Sequence, residues 1–301
     1  MAPVLPRQRR YEICNGFSII LDEGNIRIVQ EPISDSLRLC DTHRALIFVE
    51  AGGVQYFPPT MPLSIRRLSS PADLSRAVDI QSTTFANSAF CRTVGASPEG
   101  NPRSLSPSER HAIQVSRLQD ALSSDPTFHL LGAVDDETGE ILAMAKWYVF
   151  KGDDSLEKWK NGVRSDEAME IPNGVDEDGY RFAKGKLFDA KRAWFGENGR
   201  EHCFLGVLCT LPTHQGRGAG TLLLKYGLDI ADEHGLESYL ESSTKGRPLY
   251  ERHGFEDITL PNGRPGLLEF DLGHFTGRGG DQGDWVRLAL MARKPKQKTE
   301  C

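Results

Sequence analysis

The residues with the strongest chemical content lie between His202 and Phe255, around a glycine-rich turn, Gln215-Gly216-Arg217-Gly218-Ala219-Gly220. An apolar run ending at Leu211-Pro212 precedes the turn, and a long amphipathic pattern follows it. A strand, a glycine turn and a helix together make an anion site, because the first helical N–H groups lack intrahelical partners and point outward. The helix dipole adds roughly half a positive charge there, and small residues let a phosphate approach the backbone closely. The pattern predicts a phosphate-bearing ligand, foremost a nucleotide-containing cofactor.

Glycine spacing separates the alternatives. A P-loop requires GxxxxGK followed by Ser or Thr, and no such pair follows these glycines. A dinucleotide fingerprint requires GxGxxG, but the glycines fall at 216, 218 and 220, and Thr221 occupies the third slot. The phrase Gln215-x-x-Gly218-x-Gly220 resembles the Q/R-x-x-G-x-G/A pyrophosphate loop of the GCN5-related N-acetyltransferase (GNAT) superfamily, and the downstream Leu249-Tyr250-x-x-x-Gly254-Phe255 strengthens the resemblance. It spans roughly Leu63 to Met291, with motif-level support between Leu205 and Phe255.

The resemblance implies acetyl-CoA as donor, with its pyrophosphate on the backbone N–H groups around Gln215, Gly216, Arg217, Gly218, Ala219 and Gly220. It also implies an α+β fold: a mixed, mostly antiparallel sheet flanked by helices, with a splay between strands four and five. Leu205 to Thr210 matches the fourth strand, where Leu208, Cys209 and Thr210 are the candidates to bond the pantetheine arm. An extended arm with amides at strand-like spacing substitutes for a neighbouring strand. Gly206 marks a bulge or a close approach. Ser243 stands where the family often has asparagine, able to make one hydrogen bond to that arm.

Tyr250 is the candidate acid. Acyl transfer expels a thiolate, and a phenol with pKa about 10 can donate to it, a role contributing about 10²–10⁴ in rate, or roughly 3–5 kcal/mol. An amine acceptor must lose a proton, at a cost of roughly 4 kcal/mol near neutral pH unless the site removes it. The glutamate that the histone-acetylating branch places eleven residues before its glutamine is Phe204 here. Glu241, Glu201 and His202 are the substitutes. With no nucleophile elbow, direct transfer is expected.

Elements must position these groups. Leu63 to Leu68 alternates like a strand, and Ser69-Ser70-Pro71 opens a helix carrying Leu74, Ala77, Val78 and Phe85. Residues 91 to 108 read as a loop, Ser108 leads a second helix, and Phe128–Val134 and Ile141–Phe150 read as strands. Residues 151 to 200 form a charged, turn-rich insertion (Gly152-Asp153-Asp154, Asn173-Gly174, and a solvated loop at Asp176-Glu177-Asp178) with a helix near Leu187 and Trp194. It is either solvated surface or a wall over the acceptor site. Glu237–Ser243 is the fifth strand, Asp257–Leu260 another, then a long Gly-rich connection and a last strand at Asp284–Met291.

Two domains follow from this pattern. Residues 1–62 form a β-rich extension, with hairpins about Asp22–Asn25 and Gly52-Gly53 and a boundary at Pro58, Pro59 and Pro62. It leaves three uses open: capping a sheet edge, a homodimer contact, or little order. Residues 63–301 form the acyltransferase domain. Net charge is −6, which excludes a dedicated nucleic-acid binder. Six cysteines without CxxC spacing, no apolar run of membrane-span length and no h-region point to a reduced, cytosolic protein. Within acyl transfer the acceptor is a small-molecule primary amine, an acidic chain suiting cationic amines, or else a protein N-terminus or lysine. A non-catalytic acyl-CoA-binding protein is the alternative of another class.

Overall fold

The structure, a computed structural model, describes residues 62–95, 105–162, 169, 171, 175–276 and 283–296, together with five strands before residue 58. The chain divides into two units, Met1–Thr60 and Met61–Cys301. In the first, β1 (Arg9–Ile13), β2 (Phe17–Asp22) and β3 (Asn25–Gln30) form an antiparallel sheet, and β4 (Leu46–Glu50) pairs with β5 (Gly53–Phe57). The turn residues Glu23, Gly24 and Gly52, and Pro58 and Pro59, lie outside the described residues.

The second unit opens with β6 (Leu63–Arg67), α1 (Pro71–Thr84), α2 (Ala89–Gly95) and α3 (Pro107–Ser124). Ser70 caps α1 by accepting from the Asp73 N–H, and Ser106 with Glu109 forms a capping box at α3, each satisfying orphan N–H groups of a first turn. Then come β7 (Phe128–Asp135), β8 (Ile141–Phe150), α4 (Asp153–Gly162), α5 (Glu177–Phe195) and β9 (His202–Thr210). The chain closes with α6 (Ala219–His234), β10 (Glu237–Ser242), α7 (Arg247–Glu251), β11 (Glu256–Asp257), β12 (Leu267–Asp271), α8 (Gly273–Thr276) and β13 (Trp285–Arg293). The sheet order is β11-β13-β10-β9-β8-β7-β6, with β12 also on β13; β9–β10 is parallel and the remaining pairs are antiparallel. This is the mixed, mostly antiparallel sheet flanked by helices that the sequence predicts.

Four expectations change. The loop at 91–108 begins as helix, because Ala89–Gly95 packs against α5, where Gly179 lets Thr93 approach. Asp176 is the N-cap of α5, accepting from the Gly179 N–H at 2.6 Å, so Asp176-Glu177-Asp178 is a helix start. Asp153 and Asp154 likewise sit in the first turn of α4, where acidic side chains meet the helix dipole. The strand near Asp257 shortens to two residues, and the Gly-rich connection contains β12, held by five register positions on β13. Asn173-Gly174 lies outside the described residues.

Alternation on the sheet separates two faces. Ala143, Ala145, Trp147, Cys203, Leu205 and Leu240 meet Leu223, Leu224, Leu228 and Ala231 of α6. On the other side Met144 packs with α1 and α3, and Phe150 and Tyr239 pack with Ala190 and Phe195 of α5. No helix among the described residues is long and apolar enough to cross a membrane.

Candidate active site

The strands β9 and β10 pair only from His202↔Glu237 to Leu205↔Leu240. Beyond that point β9 stays on β8 as far as Thr210↔Ala143, and β10 stays on β13 as far as Ser242↔Ala289. The two therefore part, leaving a gap beside residues 207–210. Gly206 is the hinge of this splay. On β8, Lys146 faces Val207 and Trp147 faces Leu205, so Gly206 is the extra residue of a bulge, as its position in the strand suggests. A Cβ there would stand 3.1 Å from the Tyr148 ring and 3.3 Å from that of Phe204. Leu208 and Thr210 are half-buried and Cys209 is buried. The Thr210 carbonyl accepts from Gln215 Nε2 at 3.1 Å and from Thr84 Oγ1 at 3.4 Å, so the Gln215 side chain ties the turn to the strand end.

The turn itself is built for backbone donors. Pro212–His214 makes one 3-10 turn, after which Gly216 (φ 81°) and Gly218 (φ 90°) take left-handed conformations that glycine adopts without strain. Gly218 is the N-cap of α6 and offers no side-chain cap, and the first main-chain bond runs from the Leu222 N–H to its carbonyl. The N–H groups of Ala219, Gly220 and Thr221 precede that bond, so they have no intrahelical acceptor. Gln215 to Gly218 are exposed, Ala219 is buried and Gly220 is half-buried.

Tyr250 reaches the same region from α7. Its side chain is 9% exposed, packs on Gly246 and meets Phe255 edge-on at 5.9 Å. Burial, with Cys209 nearby adding to it, pushes the phenol up to about 12. It stays protonated throughout the neutral range, and its hydroxyl bonds no other described residue.

The remaining candidates separate. Ser243 Oγ accepts from the Gly246 N–H at 3.2 Å, bracing the turn into α7 while keeping its own proton to donate. Glu241 is the first residue of β10 beyond its pairing with β9, at the mouth of the splay, with Lys191 Nζ of α5 at 3.4 Å and its Oε1 buried without a hydrogen bond. Lys191 lies over the Phe204 ring at 3.8 Å, so the family's glutamate position has become the floor of an ion pair. Glu201 is not brought to the site: it precedes β9 and accepts from the Gly152 N–H at 2.6 Å, about 30 Å along the strand from Thr210 at roughly 3.3 Å per residue. His202 is a core histidine, stacked on Phe195 at 3.9 Å, and burial depresses it to about 3.

One part of the site escapes a reading by motif. A cavity of about 520 Å³ lies between α1, α2, α3, β8 and α5, with Lys146, Lys184, Arg110 and Arg117 on its wall beside Phe85 and Tyr180. The inserted helix α5 thus forms a wall, and Lys146 lies opposite Val207, the first residue of the separated stretch of β9. A sequence signal existed: Lys146 is the only charged residue in Ile141–Phe150.

A family model described as "Acetyltransferase (GNAT) family" matches residues 101–255, just over half of the chain and including the glycine turn and Tyr250. The chain belongs to this family: it is an N-acetyltransferase that uses acetyl-CoA. Solved structures similar to it include a histone acetyltransferase and related acetyltransferase from Corynebacterium glutamicum, 20% identical over 80% of this chain and 100% of that one, with a TM-score of 0.46. Arylalkylamine N-acetyltransferase 2 from Aedes aegypti is 13% identical over 78% and 99%, with a TM-score of 0.48. The PaiA N-acetyltransferase from Thermoplasma acidophilum in complex with coenzyme A is 13% identical over 78% and 99%, with a TM-score of 0.38.

Proposed function

We propose that this protein acetylates the primary amine of a small molecule by direct attack on the acetyl-CoA thioester. The observation that carries a small acceptor is the cavity of about 520 Å³ walled on one side by the inserted helix α5. That volume is within the range of small-molecule pockets, and an inserted helix narrows access where an extended peptide would need an open groove.

In this reading the N–H groups from Gln215 to Gly220, with Arg217 at the rim, hold the pyrophosphate. The backbone of Leu208, Cys209 and Thr210 holds the pantetheine arm in place of β10, with Ser243 donating one further bond. Tyr250 donates to the departing sulfur. A phenol at about 12 is a weaker acid than a thiol by roughly three units, so Tyr250 supplies a hydrogen bond that strengthens as charge develops on sulfur, rather than a complete proton transfer. Glu241, at the mouth of the splay, accepts the proton of the ammonium group, with Lys191 positioning it. No covalent enzyme intermediate is required.

A thiol-release assay with acetyl-CoA against small amines and against unstructured peptides with free N-termini tests the proposal. Turnover of one or more small amines, with peptides inert, is the expected result. Sequence-dependent acetylation of peptides with no activity on small amines would replace it with the protein-acceptor reading.

A further inference from the structure

The cavity wall carries four basic side chains, Lys146, Lys184, Arg110 and Arg117, and no Asp or Glu stands among its described lining residues. The acidic balance of the whole chain is therefore inverted at this point. Arg110 is spent on the Leu105 carbonyl. Lys191 has its own carboxylate in Glu241. Lys146 and Lys184 have none in direct contact: neither is in an ion pair with a described residue, Lys184 lies near the Phe90 and Tyr180 rings, at 5.7 and 6.0 Å, and Glu241, already paired with Lys191, attracts Lys184 only from further off. Two ammonium groups held out of bulk water without a direct ion pair are costly, and burial is the largest cause lowering both to about 8. At neutral pH both are still mainly charged. An anionic oxygen group between them would relieve that cost and form charge-assisted hydrogen bonds. Phe85 and Tyr180 leave room beside it for an apolar body.

We infer that the acceptor carries a carboxylate as well as its amine, and that Lys146 and Lys184 hold this carboxylate in the cavity beside the separated stretch of β9. The inference rests on the small-amine reading above and makes it specific. Lys146 and Lys184 then select the acceptor, while acyl-donor binding belongs to the glycine turn on the other side of β9.

The test is a panel of α-, β- and γ-amino acids, each paired with its methyl ester and with the amine lacking the carboxyl group. In the thiol-release assay the preferred amino acid should exceed both partners in kcat/KM by on the order of 10- to 100-fold, the value of a charge-assisted hydrogen bond or two. Lys184→Met and Lys146→Met should each cut that ratio at least about tenfold, with the acetyl-CoA-induced rise in Tm retained as a check on folding. Esters or plain amines preferred, or a ratio unmoved by either substitution, overturns the inference. Calorimetric titration of the same panel into the protein needs no turnover. Selective binding of an acid, weakened by Lys184→Met, would uphold the carboxylate site even if no thiol were released and the acyl-transfer reading fell. Equal binding of acid and ester, or no binding by any member, would overturn it.

Discussion

The two faces of the central sheet follow opposite rules, although the same strands supply both. On the α6 face, Trp147 lies flat against the helix backbone at Gly227, where a Cβ would come within 2.2 Å of the ring, and its Nε1–H donates to the Leu223 carbonyl at 3.2 Å. Its packing partners on α6 are apolar, and its cross-strand neighbour His129 sits at the edge of the layer with Arg67 and the Tyr226 hydroxyl. One residue earlier along β8, Lys146 points to the opposite face, which also collects Lys184, Lys191, Glu241 and His202. A dry, close-packed layer gains stability from its fit, whereas buried unpaired charge costs stability and persists where a ligand completes it. One face holds the fold; on the other we place the acceptor chemistry proposed above. The splay joins them, because Tyr250 packs into the α6 core while its hydroxyl bonds no other described residue.

Substitutions can break this division, and their effects fall in order. Tyr250→Phe is expected to lower turnover about 10²–10³-fold, the loss of one preorganised donor, while Tm and the acetyl-CoA-induced shift in Tm stay within about a degree, since the ring and its packing remain. Unchanged turnover would remove Tyr250 from the mechanism. Asp232→Ala comes next. Arg293, 5% exposed, is held bidentately by Asp232 at 2.8 Å for both bonds, tying β13 to α6. Its loss should cost roughly 2–3 kcal/mol, below the range for a fully buried pair because Asp232 is partly exposed, as read from chemical denaturation.

Gly227→Ala pushes a methyl group into the Trp147 ring and should cost about 1–3 kcal/mol, with kcat per folded molecule unaltered. A large loss of kcat at full stability would mean that the α6 face is not purely structural. Gly218→Ala forces a side chain to φ 90° at a cost of about 1–2 kcal/mol, and this should appear as weaker acetyl-CoA binding. The smallest effect is one of pH. Arg293, by hydrogen bond, lowers the Asp232 carboxyl from its ordinary value, with the Lys296 N–H and charge adding. The pair therefore stabilises the fold above the unfolded carboxyl pKa, about 3.9, and that contribution fades as pH falls through the lower folded value. Comparison of acid unfolding for the wild type and Asp232→Asn below pH 4 reads it; curves that stay parallel would contradict it.

The geometry of the proposed donor side was legible in the sequence because it is local. The turn, the bulge at Gly206 and the approach of Tyr250 all follow from residues close in the chain, with glycine and proline marking where the backbone must turn. The proposed acceptor side was not. Lys146 and Lys184 are far apart in sequence and line one cavity only through the packing of α5, a helix whose start at Asp176-Glu177-Asp178 reads as a loop because a capping aspartate and a loop aspartate look alike. Beta12 was hidden for a related reason: its burial comes from β13, and its own pattern is weak. Glu201 was attractive only by nearness to β9 in the chain, and strand geometry places it at the wrong end.

We propose that residues 207–210, paired to β8 on one side, lack a neighbour on the β10 side because acetyl-CoA takes that place. Amide hydrogen exchange with and without acetyl-CoA tests it directly. Protection is expected at residues 207–210 and 216–221, with residues 202–205, already paired to β10, unchanged. Equal exchange at 207–210 in both states, under conditions where acetyl-CoA is bound, would contradict the account.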